Sequence, residues 1–211
     1  MSRLFPAVAV FVAAAVVMSA TPGPACADTE EPRFTIVDKI GVIEVRQYGP
    51  RLAAEVVVQG DEESARSNGF RPLADYIFGN NTARAKIAMT APVAQERSEK
   101  IAMTAPVSQT RDGSGWRVRF FMPSKYTRET LPQPNNPAVQ IVEVPGETMA
   151  VVRFSNSRSA EAIAKQTALL LRGVEGLRWV VAGAPVTWLY DPPWTLPFFR
   201  RNEVAVAVRA R

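Results

Sequence analysis

LAAEVVVQGDEESARSNGFRPLADYIFG, residues 52–79, changes its hydrophobic period once, and the change decides the fold class. Leu52 to Val58 is a short run rich in valine and alanine, which reads as a strand. From Asp61 onward the apolar residues Ala65, Phe70, Leu73, Ala74, Ile77 and Phe78 fall near i, i+3, i+4 and i+7. That spacing predicts an amphipathic helix over Asp61–Gly79, ended by Gly79-Asn80. Upstream, Ile36, Ile40, Val42, Ile43 and Val45 suggest short strands, with a turn at Gly49-Pro50. Downstream, extended segments are expected at Ile87–Val93, Ile101–Val107 and Trp116–Met122, with the turn signal Asp112-Gly113 before the last.

A proline-rich link, Pro123 to Pro137, leads to strands near Val139–Val144 and Thr148–Phe154. Ser159 to Gly173 predicts a second helix with Ile163, Thr167, Leu170 and Leu171 on one face, and strands follow around Leu177–Leu189 and Glu203–Val208. The order strand, strand, helix, strand thus occurs twice, about a hundred residues apart. Gly49 answers Gly146, and Ala91-Pro92-Val93 answers Ala184-Pro185-Val186. The expected fold is α+β: two similar halves forming a distorted antiparallel β-barrel flanked by two helices.

The first 27 residues carry one charge, Arg3, then a 15-residue apolar run, Leu4–Met18, then Ala25-Cys26-Ala27. This is the pattern of a secretory signal, too short for a span of about 20 residues. Cleavage after Ala27 and an exported, periplasmic or secreted chain are expected, leaving residues 28–211 as one domain. The net charge of +5 falls to +4 without Arg3, and the basic residues are interspersed with acids, which does not favour nucleic-acid binding. There is no histidine, and the single cysteine is Cys26. Ser-His-Asp triads, Cys-His pairs and zinc sites are therefore ruled out, and a disulfide within the mature chain with them.

Lys86-Ile-Ala-Met-Thr-Ala-Pro-Val93 recurs unchanged as Lys100–Val107. Read physically, the two copies suit the arms of a hairpin, with proline holding each to an edge, bulge or strand end. The segment also resembles the signature of the SOUL haem-binding family. So do Glu44–Tyr48, Phe121–Tyr126 followed by Leu131-Pro132, and Tyr190–Pro193 followed by Arg200–Glu203. The resemblance spans Phe34 to Val208. It implies a fold of two similar halves and a tetrapyrrole ligand, haem or a comparably flat apolar molecule, bound rather than transformed.

In some members of the family porphyrin is placed against the first helix. Here that points to Phe70, Leu73, Ala74, Ile77 and Phe78 for the ring, with Arg66 and Arg71 for the propionates and Arg200 and Arg201 as further cations. The same apolar stripe serves equally to pack the helix on a sheet. Asp75 on that helix would repel a propionate. The iron donors left are Tyr48, Tyr76, Tyr126, Tyr190 and methionines such as Met89, Met103, Met122 and Met149, so haem is expected without a strong axial ligand. An enzyme would have to work through carboxylates such as Glu44, Glu55, Asp75, Glu143 or Glu203, and no pair of these is marked by its spacing. A structural or partner-binding role would use Trp188, Trp194, Phe198 and Phe199. Pro192–Phe199 is apolar enough to line a ligand mouth, to contact a membrane or to bury itself, and burial is the default.

Overall fold

The computed structural model describes residues 29–83, 98–175 and 178–211. Both expected helices are present with shifted ends, as are the expected strands outside residues 84–106. In chain order they are β1 (Phe34–Ile40), β2 (Ile43–Tyr48), β3 (Arg51–Val58), α1 (Glu62–Phe78), β4 (Asn81–Thr82), β5 (Val107–Asp112), β6 (Gly115–Phe121) and β7 (Gln133–Pro134). There follow β8 (Gln140–Val144), β9 (Glu147–Phe154), α2 (Ala160–Val174), β10 (Trp179–Val181), β11 (Val186–Leu189) and β12 (Asn202–Ala210). Asp61 caps α1, its carboxylate accepting from the Glu63 and Ser64 amides, and Gly79 ends the helix at φ +126°, where a side chain would be strained. Ser159 caps α2 through the Ala162 amide.

Ten strands form one antiparallel sheet in the order β1-β2-β9-β12-β11-β5-β6-β3-β8, with β10 added on β12. Closure into the expected barrel is not shown: the path of the sheet runs from β1 at one end to β8 at the other. The two halves are nonetheless visible in it. β2 pairs with β9 and β3 with β8 in one continuous register, from Ile43 opposite Val152 to Glu55 opposite Gln140. The first strand of each half therefore pairs with the second strand of the other. The ladder breaks where both chains turn, at Gly49-Pro50 and Pro145-Gly146. A Cβ on Gly146 would lie 3.2 Å from the Tyr48 carbonyl oxygen, so glycine permits the close approach of the corners.

Between the halves β5 pairs with β11, Val107 opposite Leu189 and Thr110 opposite Val186. Each strand begins at a valine that follows Ala-Pro, so Ala184-Pro185-Val186 corresponds to Ala105-Pro106-Val107. The sequence match to residues 91–93 is displaced by the fourteen-residue repeat. The first copy lies outside the described residues, as does the strand expected at Ile87–Val93. The strand expected at Ile101–Val107 begins only at Val107. Pro106 has no amide hydrogen to offer a ladder, Ile101 is buried with its amide donating to the Ile77 carbonyl, and Thr104 makes a single bridge to Glu30.

Each helix covers one half of the sheet. Leu73, Ala74, Tyr76 and Ile77 of α1 pack on Ala54, Val56, Val118 and Phe120, and Ile163, Leu170 and Val174 of α2 pack on Ala150, Val152, Val204 and Val206. Burying a residue such as Leu73 or Ile77 stabilises the fold by about 1.5–3 kcal/mol. On the opposite face Tyr48, Met149, Val151, Trp188 and Ala205 form a second layer.

Candidate functional site

The helix α1 divides the residues proposed from sequence into two groups. Leu73, Ala74 and Ile77 belong to the core against β3 and β6 and are not on an accessible face. Phe70 and Phe78 are exposed: Phe70 lies edge-on to Phe120 at 5.2 Å between ring centroids, and Lys100 stands over the Phe78 ring. Arg71 is exposed. Asp75 is exposed too and accepts from the Asn80 side-chain amide at 2.5 Å.

Arg66, one turn before Phe70, is drawn toward a loop that the helix pattern does not reveal. Its Nε donates to Gln109 Oε1 at 3.2 Å, and its Nη1 to the Arg158 carbonyl at 3.4 Å. Arg158, in the turn between β9 and α2, donates from Nη1 to the Asp191 carbonyl at 3.2 Å. Arg200 holds the loop after Asp191 from within, Nε donating to the Thr195 carbonyl at 2.7 Å and Nη2 to the Pro193 carbonyl at 2.9 Å. The Asn156 amide fixes the same loop through the Pro197 carbonyl.

These bonds turn residues 192–199 into a braced platform, and the default expectation that it is buried is corrected. Trp194 is 82% exposed, Phe198 60% and Phe199 71%, with the two phenyl rings 4.5 Å apart. Pro192, Pro193 and Pro197 stiffen the backbone, while the carbonyls that would otherwise need water are taken by Arg200. Trp188 is instead buried, since β11 is covered on both faces.

Three arginines bond to the segments that hold the platform: Arg66 to the Arg158 carbonyl, Arg158 to the Asp191 carbonyl, and Arg200 to the Pro193 and Thr195 carbonyls. Burial lowers the pKa of Arg158, and the charges of Arg200 and Arg66 lower it further, while that of Asp191 opposes the shift. Burial likewise lowers that of Arg66. Arg66 reaches Glu62 only at 3.8 Å, and neither Arg158 nor Arg200 has an ion-pair partner among the described residues. An anion brought to this place would offset the like charges around Arg158. Arg158 escaped the sequence reading because nothing in its local pattern distinguishes a turn arginine from any other.

Arg201 is engaged elsewhere. Its Nε donates to Glu203 Oε1 at 3.1 Å and its Nη1 to both oxygens of Glu31. Glu203, fully buried, also accepts from Arg46 Nη1 at 2.8 Å, Arg46 Nη2 at 3.2 Å and Tyr190 Oη at 2.8 Å. Burial opposes the Arg46 charge, but the bond to Glu203 prevails and raises its pKa; burial and Glu203 together raise that of Tyr190.

The other possible iron donors are also placed. Tyr76 donates to the Pro132 carbonyl, and Tyr126 to Glu99, with burial pushing its pKa up to about 12. Met122 and Met149 are core residues, Met103 is exposed, and Met89 lies outside the described residues. The carboxylates considered for catalysis are tied up: Glu44 to Arg46, Glu55 to Arg119 and Arg117, Glu143 to Arg128, besides Asp75 and Glu203. No cluster of acids suited to a metal occurs among the described residues, and no helix there is long and apolar enough to cross a membrane.

A family model described as SOUL heme-binding protein matches residues 29–207. The chain belongs to the SOUL haem-binding protein family. No curated protein sequence matches the chain. Among solved structures, the C-terminal domain of EcmrR superposes with a TM-score of 0.59 at 9% identity, covering 80% of this SOUL-family chain and 98% of that domain. EcmrR in its complex with DNA gives the same score and identity over 57% of its own length. An uncharacterized conserved protein from Listeria innocua gives 0.50 at 12% identity over 87% of this chain and 94% of that one. At such identities these structures establish the fold alone.

Proposed function

We propose that this SOUL-family protein binds haem or a related tetrapyrrole on the surface formed by the exposed side of α1 and the 192–199 platform, and that it acts outside the cytoplasm as a binding protein, not as an enzyme. The observation that carries this reading is the bonding of Arg66, Arg158 and Arg200 to the segments that hold the 192–199 platform, whose Trp194, Phe198 and Phe199 are exposed, with exposed Phe70 one turn along α1 from Arg66. A tetrapyrrole needs flat apolar contact for its ring and cations for its two propionates, and both needs meet here. Arginine suits the second because its planar fork donates two parallel hydrogen bonds to a carboxylate. Leu73, Ala74 and Ile77 support the site from beneath by fixing α1 to the sheet.

Iron receives no strong protein ligand in this reading, since the hydroxyls of Tyr48 and Tyr190 are committed to the Arg46–Glu203 network. Affinity then comes from the ring and the propionates, and haemin and metal-free protoporphyrin bind alike. Export rests on Arg3, the apolar run Leu4–Met18 and the small residues up to Ala27.

The test is a titration with haemin and with protoporphyrin IX, followed by the Soret band and tryptophan fluorescence, on the wild type and on Arg158→Glu. Saturable one-to-one binding of both ligands is expected, weakened about tenfold or more by the reversal of charge. Binding of haemin alone, or no effect of Arg158→Glu, would overturn the reading. The exposed aromatics beside arginines also suit an anionic membrane surface. Co-sedimentation with phosphatidylglycerol vesicles, lost in Trp194→Ser/Phe198→Ser, would favour that second reading.

A further inference from the structure

A cavity of about 560 Å³ opens at the corner of the sheet, where β2 turns into β3. Its wall includes Leu52, Phe121, Met122 and Tyr126, with the segment Glu30–Arg33 at its rim. Arg51 lines the same cavity with a side chain only 9% exposed. Its guanidinium is sandwiched between the rings of Tyr48 and Phe121, each centroid 4.6 Å away, and Nη2 is bonded to Glu147. Nε and Nη1 are buried and have no hydrogen-bond partner.

Two orphan donors on a buried cation are costly, and such a group is normally completed by water or by a ligand. Burial lowers the pKa of Arg51 although the Glu147 carboxylate opposes the shift, and a second carboxylate at Nε and Nη1 would oppose it further. The rim does not supply it. Glu31 is bound to Arg201, Glu143 to Arg128, and Glu30 accepts from the Ser124 amide at 2.9 Å. With acids and bases mixed around the mouth, selection falls to the oriented donors of Arg51 and not to net charge.

We infer that this corner is a second small-molecule site, separate from the tetrapyrrole surface, for an amphipathic monocarboxylate whose acid group meets Arg51 and whose apolar part lies along Leu52, Phe121 and Met122. A volume of this size falls within the range of small-ligand pockets, roughly 300–1,000 Å³.

Decanoate, with decanol as the uncharged control, tests this by calorimetry on the full chain and by the Arg51 Nε–Hε resonance in ¹⁵N-labelled protein. Decanoate is expected to bind one-to-one, to shift that resonance and to bind at least about tenfold more tightly than decanol. Arg51→Lys, which keeps the charge but not the planar fork, is expected to weaken decanoate about tenfold and to leave haemin binding unchanged. Equal affinity for acid and alcohol, an unmoved Nε–Hε resonance, or undiminished decanoate binding by a folded Arg51→Lys would each overturn the inference. The haemin titration on the same variant separates that failure from a failure of the tetrapyrrole site.

Discussion

Replacing Glu203 by glutamine tests how far the buried ion network holds the sheet together. The substitution keeps the shape and removes the charge at a carboxylate that is 0% exposed and accepts four hydrogen bonds. With the amide nitrogen in place of Oε1, Arg46 Nη2 and Arg201 Nε both face a donor. In the other orientation Arg46 Nη1 and the Tyr190 hydroxyl do so. Either way two guanidiniums lose one of their two carboxylate partners, Arg46 keeping Glu44 and Arg201 keeping Glu31, and Arg46, with its side chain 5% exposed, cannot turn to water. Breaking a buried pair from one side costs about 3–5 kcal/mol. At about 2–4 °C per kcal/mol for a domain of this size, Tm is expected to fall by roughly 6–20 °C. Glu143→Gln is the control: Arg128–Glu143 is a 3.8 Å pair with side chains 56% and 68% exposed, and its loss is expected to cost about 0–1 kcal/mol. Urea denaturation of both variants measures the difference. A loss below about 1 kcal/mol for Glu203→Gln would refute the assignment, since it would mean that the two arginines do not depend on this carboxylate.

Gly69→Ala should destabilise the protein by up to about 2 kcal/mol, because the added Cβ falls 2.5 Å from Val118 Cγ2 on a stiff, buried side chain, a cost only partly offset by the gain in helix propensity. Gly173→Ala meets only the far end of a side chain, Ile43 Cδ1 at 2.3 Å with Cγ1 at 3.7 Å, and thermal unfolding should show it to be less damaging than Gly69→Ala. Amide bonds from Ser64 and Glu63 hold the Asp61 carboxyl below its ordinary pKa, so its contribution is present above the unfolded-state value and disappears as the pH falls through the lower folded-state value. Stability measured against pH should therefore drop less steeply in that acid range for Asp61→Asn than for the wild type. Ser159→Ala, which removes the cap of α2, should cost about 1 kcal/mol in urea denaturation.

The elements were legible in the sequence where a period or a cap marks them. The change of period at Asp61, with Asp61 and Gly79 at its ends, located α1 to within a residue, and Ser159 did the same for α2. What local pattern does not encode is which distant strand a strand pairs with. The exchange of first strands between the halves depends on a register between segments about a hundred residues apart. The helix stripe was read correctly as apolar, but the sequence left open whether it faced a ligand or the sheet. Leu73, Ala74 and Ile77 face the sheet, while Phe70 and Phe78 are left outside. Trp188 and Trp194 look alike in sequence. Their difference follows from context, one on a strand covered from both sides and the other between prolines that hold the loop outward. Arg158 and Arg51 carried no signal, because an arginine's environment is made by the tertiary contacts around it.

Hydrogen–deuterium exchange of the protein saturated with metal-free protoporphyrin IX tests the central claim most directly, since it locates the ligand without relying on iron. The account predicts slowed exchange in residues 192–200, in the Asn156–Ser159 turn and in the first two turns of α1, with the corner around Arg51 unchanged. Protection confined to residues 30–33, 49–52 and 121–129, or none at the platform under saturation, would contradict it.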